Sequence, residues 1–205
     1  MHHLIRVLRL REGEPVTVTD GAGRWRATVV AGGSVEPSGE VKVVERRDPV
    51  LTVAVAPPKG DRLEWLVAKC TEVGIDRIVL LDAERSVVRW KGDRADKQLD
   101  RLRRIVVEAS MQSRRVWLPE LAGPLTAASI LPEAAVAEPG GGPVTAGVTT
   151  IAIGPEGGWS SAELAASATS VSLGDQILRV ETAAVAAAVL MVNQSLCRPA
   201  AEAGR

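Results

Sequence analysis

The 205-residue sequence contains no phenylalanine and no tyrosine, so its five tryptophans are its only aromatic residues. Cysteine is also rare, since Cys70 and Cys197 are the only two and lie far apart in the chain. Disulfide scaffolds and Cys/His metal sites need pairs or clusters of such residues at short spacing. We therefore expect two free thiols, no bound metal, and tryptophans that anchor a core or an interface.

Long apolar runs are missing as well. The longest, residues 183–192, is rich in alanine and too short to span a bilayer. The N-terminus carries His2, His3 and Arg6 without an apolar signal core. The sequence thus predicts a cytoplasmic protein with no membrane partner, and its 46% hydrophobic content is ample for a packed core.

A formal net charge of zero conceals an uneven distribution of charge. Residues 1–120 hold 22 Lys/Arg against 18 Asp/Glu, whereas residues 121–205 hold 3 against 7. Within residues 85–117 there are 10 basic and 4 acidic residues. Such a cluster can present a positive field to a polyanion such as RNA, but a solvated helix face has the same composition. Both interpretations stay open here.

The first 47 residues show patterns typical of β-strands. Residues 16–19 and 25–30 alternate between apolar and polar, a Gly-rich turn separates them, and residues 41–44 form a third short strand. This part is a small sheet or partial barrel. Charge and proline at residues 46–49 indicate a linker, so we predict domains at 1–47 and 48–205.

The hydrophobic period changes after residue 48. Apolar strands at residues 51–56 and 77–81 flank a helix at 61–73, a βαβ unit that favours a parallel sheet and an α/β fold class. The remaining pattern predicts a long helix at residues 94–113, a strand at 116–118, a short helix near 126–131, and a Gly/Pro-rich loop at 138–147 to which we attach no chemistry.

Two strand-loop-helix segments follow. Residues 150–153 form an apolar strand, a Gly-Pro-Glu-Gly-Gly turn occupies 154–158, and Ser160 with Glu163 has capping-box spacing. Residues 170–173 repeat the arrangement, with a turn at Gly174 and a helix through residue 196. Loops at the carboxyl ends of strands bind ligands in α/β sheets, so both loops can share one pocket. A tight connection without a ligand is the alternative.

The final helix carries Ala, Val, Leu or Met on nearly every side. A helix that is apolar all round is buried either in its own domain or against a partner subunit. For a chain this short, we favour a dimer contact.

Several motifs in fixed order resemble the RsmE family of 16S ribosomal RNA uridine N3-methyltransferases in the SPOUT superfamily. Besides the two loops, they are Lys59-Gly60-Asp61-Arg62, Glu72-Val73-Gly74, Glu84-Arg85-Ser86, and Glu108-Ala109 followed by Gln112-Ser113 and Arg115. The resemblance covers nearly the whole chain. It departs in three places: family members usually carry a further strand before His2, Asp175-Gln176 stands where Pro-Arg is usual, and Val180 stands where Thr is common.

The resemblance implies a SPOUT methyltransferase domain with a C-terminal trefoil knot, preceded by a small, truncated PUA-like β-barrel. It implies a homodimer that uses S-adenosyl-L-methionine to methylate N3 of a uridine in 16S ribosomal RNA, within the small ribosomal subunit. A SPOUT enzyme acting on another RNA, and a non-catalytic RNA-binding module, are the alternatives.

The resemblance also implies site residues. Those expected to hold the cofactor are Leu81, Ile153, Gly154, Pro155, Glu156, Gly157, Gly158, Leu173, Gly174, Ile177, Leu178, Thr182 and Ala183. The excess of basic residues in the first 120 positions, rather than the resemblance, indicates the residues expected to contact RNA phosphates: Arg9, Arg11, Lys59, Arg85, Arg89, Lys91 and Arg114.

Methylation of N3 requires removal of the imide proton and stabilisation of the developing anion. Arg114 or Arg115 is the candidate for the stabilising cation, and Glu156 or Glu181 is the candidate base or orienting carboxylate. Each has a simpler alternative: the arginines can bind phosphate alone, and Glu181 suits the positive end of the last helix.

Overall fold

A computed structural model describes residues 10–90 and 92–197. The chain divides into two compact units, the first containing the described residues up to Arg47 together with Arg114–Leu118. The second contains Asp48–Ser113 and the described residues from Pro119 onward. Arg114–Leu118 therefore belongs to the first unit although it lies within the sequence of the second. The predicted domains, 1–47 and 48–205, assign these five residues to the second domain.

An antiparallel sheet forms the first unit. Its strands are β1 (Pro15–Thr19), β2 (Arg24–Ala31), β3 (Ser34–Pro37) and β4 (Lys42–Val43), and β2 pairs with the other three. The turn between β1 and β2 is held by Asp20, whose Oδ1 accepts hydrogen bonds from the backbone N–H groups of Ala22 and Arg24 at 2.7 and 3.0 Å. These donors lower the pKa of Asp20 below its ordinary value. The alternating residues predicted β1, β2 and β4, but not β3.

Residues 116–118 do not form the strand that their apolar side chains predicted. Trp117 makes an isolated antiparallel bridge to Ala22, and its indole N–H donates to the carbonyl of Val44 at 2.9 Å. The prediction was wrong because these side chains are used to pack on the β1–β2 turn rather than to extend a sheet. A β-carbon on Gly23 would lie 2.5 Å from the Trp117 ring, so glycine is required there.

A six-stranded parallel sheet forms the centre of the second unit. Its strands are β5 (Thr52–Val55), β6 (Arg77–Asp82), β7 (Glu120–Thr126), β8 (Ala135–Gly142), β9 (Thr150–Ile153) and β10 (Thr169–Val171). They lie in the order β10-β8-β9-β5-β6-β7. All pairs are parallel, which confirms the sheet type predicted from the first βαβ unit.

Four α-helices accompany the sheet among the described residues: α1 (Arg62–Val73), α2 (Asp93–Gln112), α3 (Ser161–Ala166) and α4 (Val180–Leu196). The helical spacing of apolar residues predicted α1 and α2 to within a few residues, the capping box predicted the start of α3, and the apolar run through residue 196 predicted α4. No helix in residues 10–90 and 92–197 combines the length and apolar character needed to cross a membrane.

Side chains alternate across the central strands and build two cores. Val53, Val55 and Ile151 belong to the larger core, together with apolar residues of α1, α2 and α4. Ala54 and Ala152 face the smaller core, which contains Trp159 and the residues around the turns after β7. Small residues on this second side leave room for the Trp159 ring, because side chains of one strand alternate between its faces.

Two further predictions in the second unit were wrong. The helix expected near residues 126–131 is replaced by the end of β7 and two short 3-10 turns, Ala127–Ser129 and Leu131–Glu133. The loop expected from residue 138 begins instead as the second half of β8. A β-carbon on Gly141 would lie 2.5 Å from the backbone of Val171, so this glycine permits close strand approach rather than a flexible loop.

Candidate active site

The parallel direction of the strands places several loops at one edge of the sheet. The strand order turns back between β7 and β8, and β9 lies between β8 and β5. Because all six strands are parallel, the segments that follow β5, β8, β9 and β10 leave from the same carboxyl edge. A reversal of strand order at this edge is where α/β sheets bind ligands.

The loop after β9 is a tight turn that leads into α3. The N–H of Gly158 donates to the carbonyl of Pro155 at 2.8 Å, and Gly158 has φ +69°, a conformation that favours glycine. Ser160 and Glu163 form the predicted capping box, with hydrogen bonds of 3.3 and 2.9 Å. The local sequence therefore fixes both the turn and the start of the helix.

Arg85 and Glu163 join this loop to the segment after β6. Nη1 of Arg85 donates to the carbonyl oxygens of Gly157 and Trp159 at 3.2 and 3.1 Å. The second carboxylate oxygen of Glu163 accepts from the N–H of Glu84 at 2.9 Å. Arg85 thus holds the loop in place through two carbonyl groups.

The loop after β10 is held mainly by its own residues. Oγ of Ser172 donates to the carbonyl of Gly174 at 3.0 Å and accepts from the N–H of the same glycine at 3.3 Å. Gly174 has φ +144°, which side chains rarely adopt. Ile177 is 91% exposed, although apolar residues of its size are usually covered.

This second loop forms one wall of an open cleft with a cavity volume of about 110 Å³. Its lining comes from the middle of β8, the loop after β10 and the first turn of α4: Ala137, Glu138, Pro139, Ser172, Leu173, Gly174, Gln176, Ile177, Leu178 and Ala183. The lining is largely apolar, and its polar side chains are those of Glu138, Ser172 and Gln176.

A much smaller groove, with a cavity volume of about 10 Å³, lies at the same sheet edge. Its lining comes from the segment after β5, the segment after β6, the loop after β9 and the start of α4: Ala56, Pro57, Pro58, Lys59, Val87, Pro155, Glu156 and Val180. The two glycine-containing loops therefore line neighbouring depressions, with α4 contributing to both, rather than a single cavity.

Arg62, at the start of α1, connects the segments around the groove. Its Nη1 lies 3.1 Å from Oε1 of Glu156 and 3.7 Å from Oε2 of Glu181. Its Nε donates to the carbonyl of Lys59 at 3.1 Å. The Glu181 side chain is 13% exposed. Within the described residues, Oε2 of Glu181 has no hydrogen-bond partner.

The structure separates the residues predicted to hold the cofactor. Five of them line the cleft: Leu173, Gly174, Ile177, Leu178 and Ala183. Two line the groove instead, Pro155 and Glu156. Those that line neither are Leu81, Ile153, Gly154, Gly157, Gly158 and Thr182. Leu81 and Ile153 are buried in the cores, while Thr182 is exposed on α4.

The residues predicted to contact RNA are equally dispersed. Arg9 and Lys91 lie outside the described residues. Lys59 lines the groove, while Arg11 is exposed in the first unit. Arg89 donates to the carbonyl of Glu84 at 2.8 Å, so it supports the same segment as Arg85.

Arg114 and Arg115, the predicted catalytic cations, belong to the first unit. Arg114 has φ +57°, and Nε of Arg115 donates to the carbonyl of Trp117 at 3.2 Å. Glu156 and Glu181, the predicted carboxylates, both lie beside Arg62 in the second unit.

Sequence reasoning missed two contributions to this edge. Ala137–Pro139 line the cleft, whereas the Gly/Pro-rich pattern predicted a loop without chemistry from Glu138 onward and indicated no role for Ala137. Arg62 was noted as part of a motif but given no role. Its position directly before Leu63, where the helical apolar pattern begins, and three residues after Lys59 was the available indication.

The described residues contain no group of three or more His, Cys, Asp or Glu side chains arranged to hold a metal ion. Cys70 is buried, and Cys197 is exposed and unpaired.

The sequence of this chain is similar to those of known RNA methyltransferases. Residues 46–192 match the model of an RNA methyltransferase domain, and residues 1–34 match that of an RNA methyltransferase PUA domain. The ribosomal RNA small subunit methyltransferase E of Synechocystis is 33% identical over 213 residues, covering 89% of this chain and 67% of that protein. The same enzyme of Mycobacterium bovis is 33% identical over 215 residues, covering 90% and 80%.

The chain belongs to the RsmE family of RNA methyltransferases. A solved RsmE structure, that of Neisseria gonorrhoeae bound to S-adenosyl methionine, superposes with a TM-score of 0.79 at 26% sequence identity. The superposition covers 93% of this chain and 87% of the Neisseria chain. The α/β fold with a parallel sheet is thus a property that this chain shares with its RsmE relatives.

Proposed function

We propose that this protein transfers a methyl group from S-adenosyl-L-methionine to N3 of a uridine in 16S ribosomal RNA. The observation that carries the proposal is the cleft at the carboxyl edge of the sheet, lined by the loop after β10 and Ala183. Its RsmE relatives are named as small-subunit ribosomal RNA methyltransferases, and one of them is a complex with this cofactor.

The cleft lining has the chemistry that the cofactor requires. Leu173, Ile177 and Leu178 offer apolar surface for an adenine ring, and the Gln176 side chain offers an amide that can donate and accept hydrogen bonds. The Glu138 carboxylate suits a ligand that carries positive charge. When bound, the cofactor supplies an electrophilic methyl group on a sulfonium.

The residues of this chain then have to position the uracil and remove its N3 proton. Positioning two reactants in line supplies much of the rate of such a displacement. Glu156 and Glu181 are the carboxylates at this edge, and Arg62 holds both. Arg114 and Arg115 remain our candidates for stabilising the anion or a phosphate, and Arg11 and Lys59 our candidates for contacts to the RNA backbone.

We also propose a C-terminal trefoil knot and an N-terminal PUA-like barrel. A trefoil knot is supported by the path of the chain, because α4 follows the edge strand β10 and yet packs on the central strands β5 and β9. A PUA-like barrel is supported by the antiparallel sheet and the family match over residues 1–34. We place the domain boundary after residue 47.

We propose that the protein acts as a homodimer in the cytoplasm on the small ribosomal subunit. Val189 and Leu196 on α4 are 48% and 76% exposed, which leaves apolar surface on the helix that the sequence predicted to be covered. A second copy of the chain is the partner we propose for this surface.

The test is methylation of 30S subunits from a strain that lacks the modification. Purified protein, the cofactor and these subunits should yield N3-methyluridine, detected by mass spectrometry of nucleosides and mapped to one nucleotide of 16S RNA. Methylation of another RNA, with none of 16S RNA, would show that the protein acts on that other RNA instead. Binding of RNA without cofactor binding in calorimetry would support a non-catalytic module instead.

A further inference from the structure

Glu138 is the only charged residue among the described residues that line the cleft. The other polar side chains of the lining are those of Ser172 and Gln176. The Ser172 hydroxyl already donates to the carbonyl of Gly174 and accepts from the N–H of the same residue. Gln176 carries a neutral amide. The cleft therefore presents one negative charge and no positive charge to a ligand.

The Glu138 carboxylate has no counter-ion in the part of the chain that the structure describes. Glu138 lies half-buried in β8, and its side chain forms no ion pair or hydrogen bond within residues 10–90 and 92–197. The carboxylates of Glu156 and Glu181 differ, because both lie beside Arg62. Partial burial weakens screening by water and salt, so an unpaired carboxylate there attracts a cationic ligand more strongly than one on an open surface.

Charges just outside the cleft do not reverse its sign. Asp175 lies in the loop after β10, and Arg179 lies at the start of α4. Both are exposed, and neither contributes to the lining. Because their charges are opposite, the two largely offset each other. Glu138 therefore decides the sign of the electrostatic potential inside the cleft.

The cofactor and its product differ in the charge that such a carboxylate detects. Transfer of the methyl group to N3 of uridine breaks the carbon–sulfur bond, whose electron pair stays on sulfur. The N3–H bond breaks, its proton passes to solvent, and the N3 electron pair forms the bond to the methyl carbon. S-adenosyl-L-methionine and S-adenosylhomocysteine thus share their adenosine and amino-acid parts, but only the former carries a sulfonium. A cleft that recognised only the shared parts would bind both equally.

We propose that Glu138 makes the cleft select the sulfonium cofactor over the neutral thioether product, so that the product dissociates readily and inhibits the enzyme weakly. The inference rests on the proposed methyl-transfer function. Glu138 is then a residue that determines charge specificity in binding. It does not accelerate the chemical step, because attraction to the sulfonium is strongest before the methyl group leaves.

Glu138→Gln removes the charge with little change in shape. In calorimetry with the full chain, wild-type protein should bind S-adenosyl-L-methionine more tightly than S-adenosylhomocysteine. The substitution should weaken cofactor binding by roughly three- to tenfold, the size expected for one charge pair in a partly hydrated cleft, and leave product binding within about twofold. Glu133→Gln is the matched control, since Glu133 lies in the turn before β8 and lines neither depression. It should bind both ligands as the wild type does.

Gln176 allows the charge of the lining to be changed in both directions. Gln176→Glu adds a second negative charge, and Gln176→Arg offsets that of Glu138. The ratio of the dissociation constants, product over cofactor, should rise about threefold or more in Gln176→Glu and fall by a similar factor in Gln176→Arg. Inhibition of 30S methylation by added S-adenosylhomocysteine should follow the same order. Structural damage to the cleft would instead weaken both ligands alike and leave the ratio unchanged.

Two results would overturn the inference. One is wild-type protein that binds the product as tightly as the cofactor, and the other is an equal change for both ligands in Glu138→Gln and in the Gln176 variants. Wild-type protein that binds neither ligand would reject both the inference and the proposed function. If wild-type protein binds both ligands but forms no N3-methyluridine, the proposed function fails, while the ratio of dissociation constants still decides the charge selection.

Discussion

The indole ring of Trp159 lies against Gly154, so closely that a β-carbon on Gly154 would stand 2.9 Å from Cε2 of the ring. Trp159 is 5% exposed and belongs to the smaller core, which makes the ring difficult to move. The first glycine of the Gly-Pro-Glu-Gly-Gly turn is therefore needed for packing against the tryptophan.

Gly154→Ala should destabilise the protein by about 1–3 kcal/mol, the usual cost of adding a methyl group to a packed core. Urea unfolding followed by tryptophan fluorescence measures this change. Gly157→Ala is the control in the same turn, because its β-carbon would meet Arg85 at an ordinary 3.5 Å. Equal unfolding free energies for the two variants would contradict the role given to Trp159.

Ala183→Leu should abolish cofactor binding while preserving the fold. The added isobutyl group would occupy the cleft, because Ala183 forms part of its lining. We expect at least a 100-fold loss of affinity in calorimetry, with cooperative thermal unfolding retained. Thr182→Leu places the same side chain on the neighbouring exposed position and should bind within about twofold of the wild type. Retained binding in Ala183→Leu would remove the cleft as the cofactor site.

Leu196→Lys combined with Val189→Glu should convert a dimer into a monomer. Both residues are exposed on α4, and a buried unpaired charge at an interface is strongly unfavourable. Analytical ultracentrifugation at several concentrations measures the molecular mass. Val43→Lys changes a residue that is 71% exposed in the first unit and should leave the mass unchanged. A dimer that survives the double substitution would place the interface elsewhere.

Cys70 should resist alkylation in the folded protein. Burial raises the pKa of its thiol from 9.0 to about 12, whereas Cys197 is exposed. Iodoacetamide at neutral to mildly alkaline pH should therefore modify only Cys197 until denaturant is added, as measured by peptide mass spectrometry. Modification of native Cys70 at the rate of Cys197 would show that helix α1 opens readily.

The same thiol makes stability depend on pH in a definite direction. Since the unfolded thiol loses its proton near 9.0 and the folded one near 12, its contribution is fully present below about pH 9. It is lost progressively as the pH rises from 9 towards 12. The difference in unfolding free energy between the wild type and Cys70→Ala should therefore shrink over that interval. A constant difference would argue against the raised pKa.

Local sequence was sufficient where a structure depends on near neighbours. Ser160 and Glu163 predicted a capping box three residues apart, and both of its hydrogen bonds are present. The β-branched residues of 150–153 predicted β9, because a strand buried on both faces reads as a continuous apolar run. The amphipathic spacing of α1 and α2 likewise predicted their extents.

Prediction failed where distant residues decide the conformation. Gly141 looked like a loop residue, but its missing β-carbon lets β8 approach Val171 of β10. Trp117 looked like part of a strand, yet it bonds to Val44, 73 positions earlier in the chain. Neither partner can be inferred from the residues next to the one concerned.

The amino-acid sequence by itself determined the helices, the buried strands, the two glycine turns and the family, because these depend on spacing and on short motifs. Only the tertiary structure decided that the two turns line separate depressions, and that Arg62 joins Glu156 to Glu181. Arg62 and Glu181 lie 119 positions apart in the sequence, so no local pattern predicts that their side chains are close. The order of strands in the parallel sheet brings them together, because that order decides which loops are neighbours at the carboxyl edge.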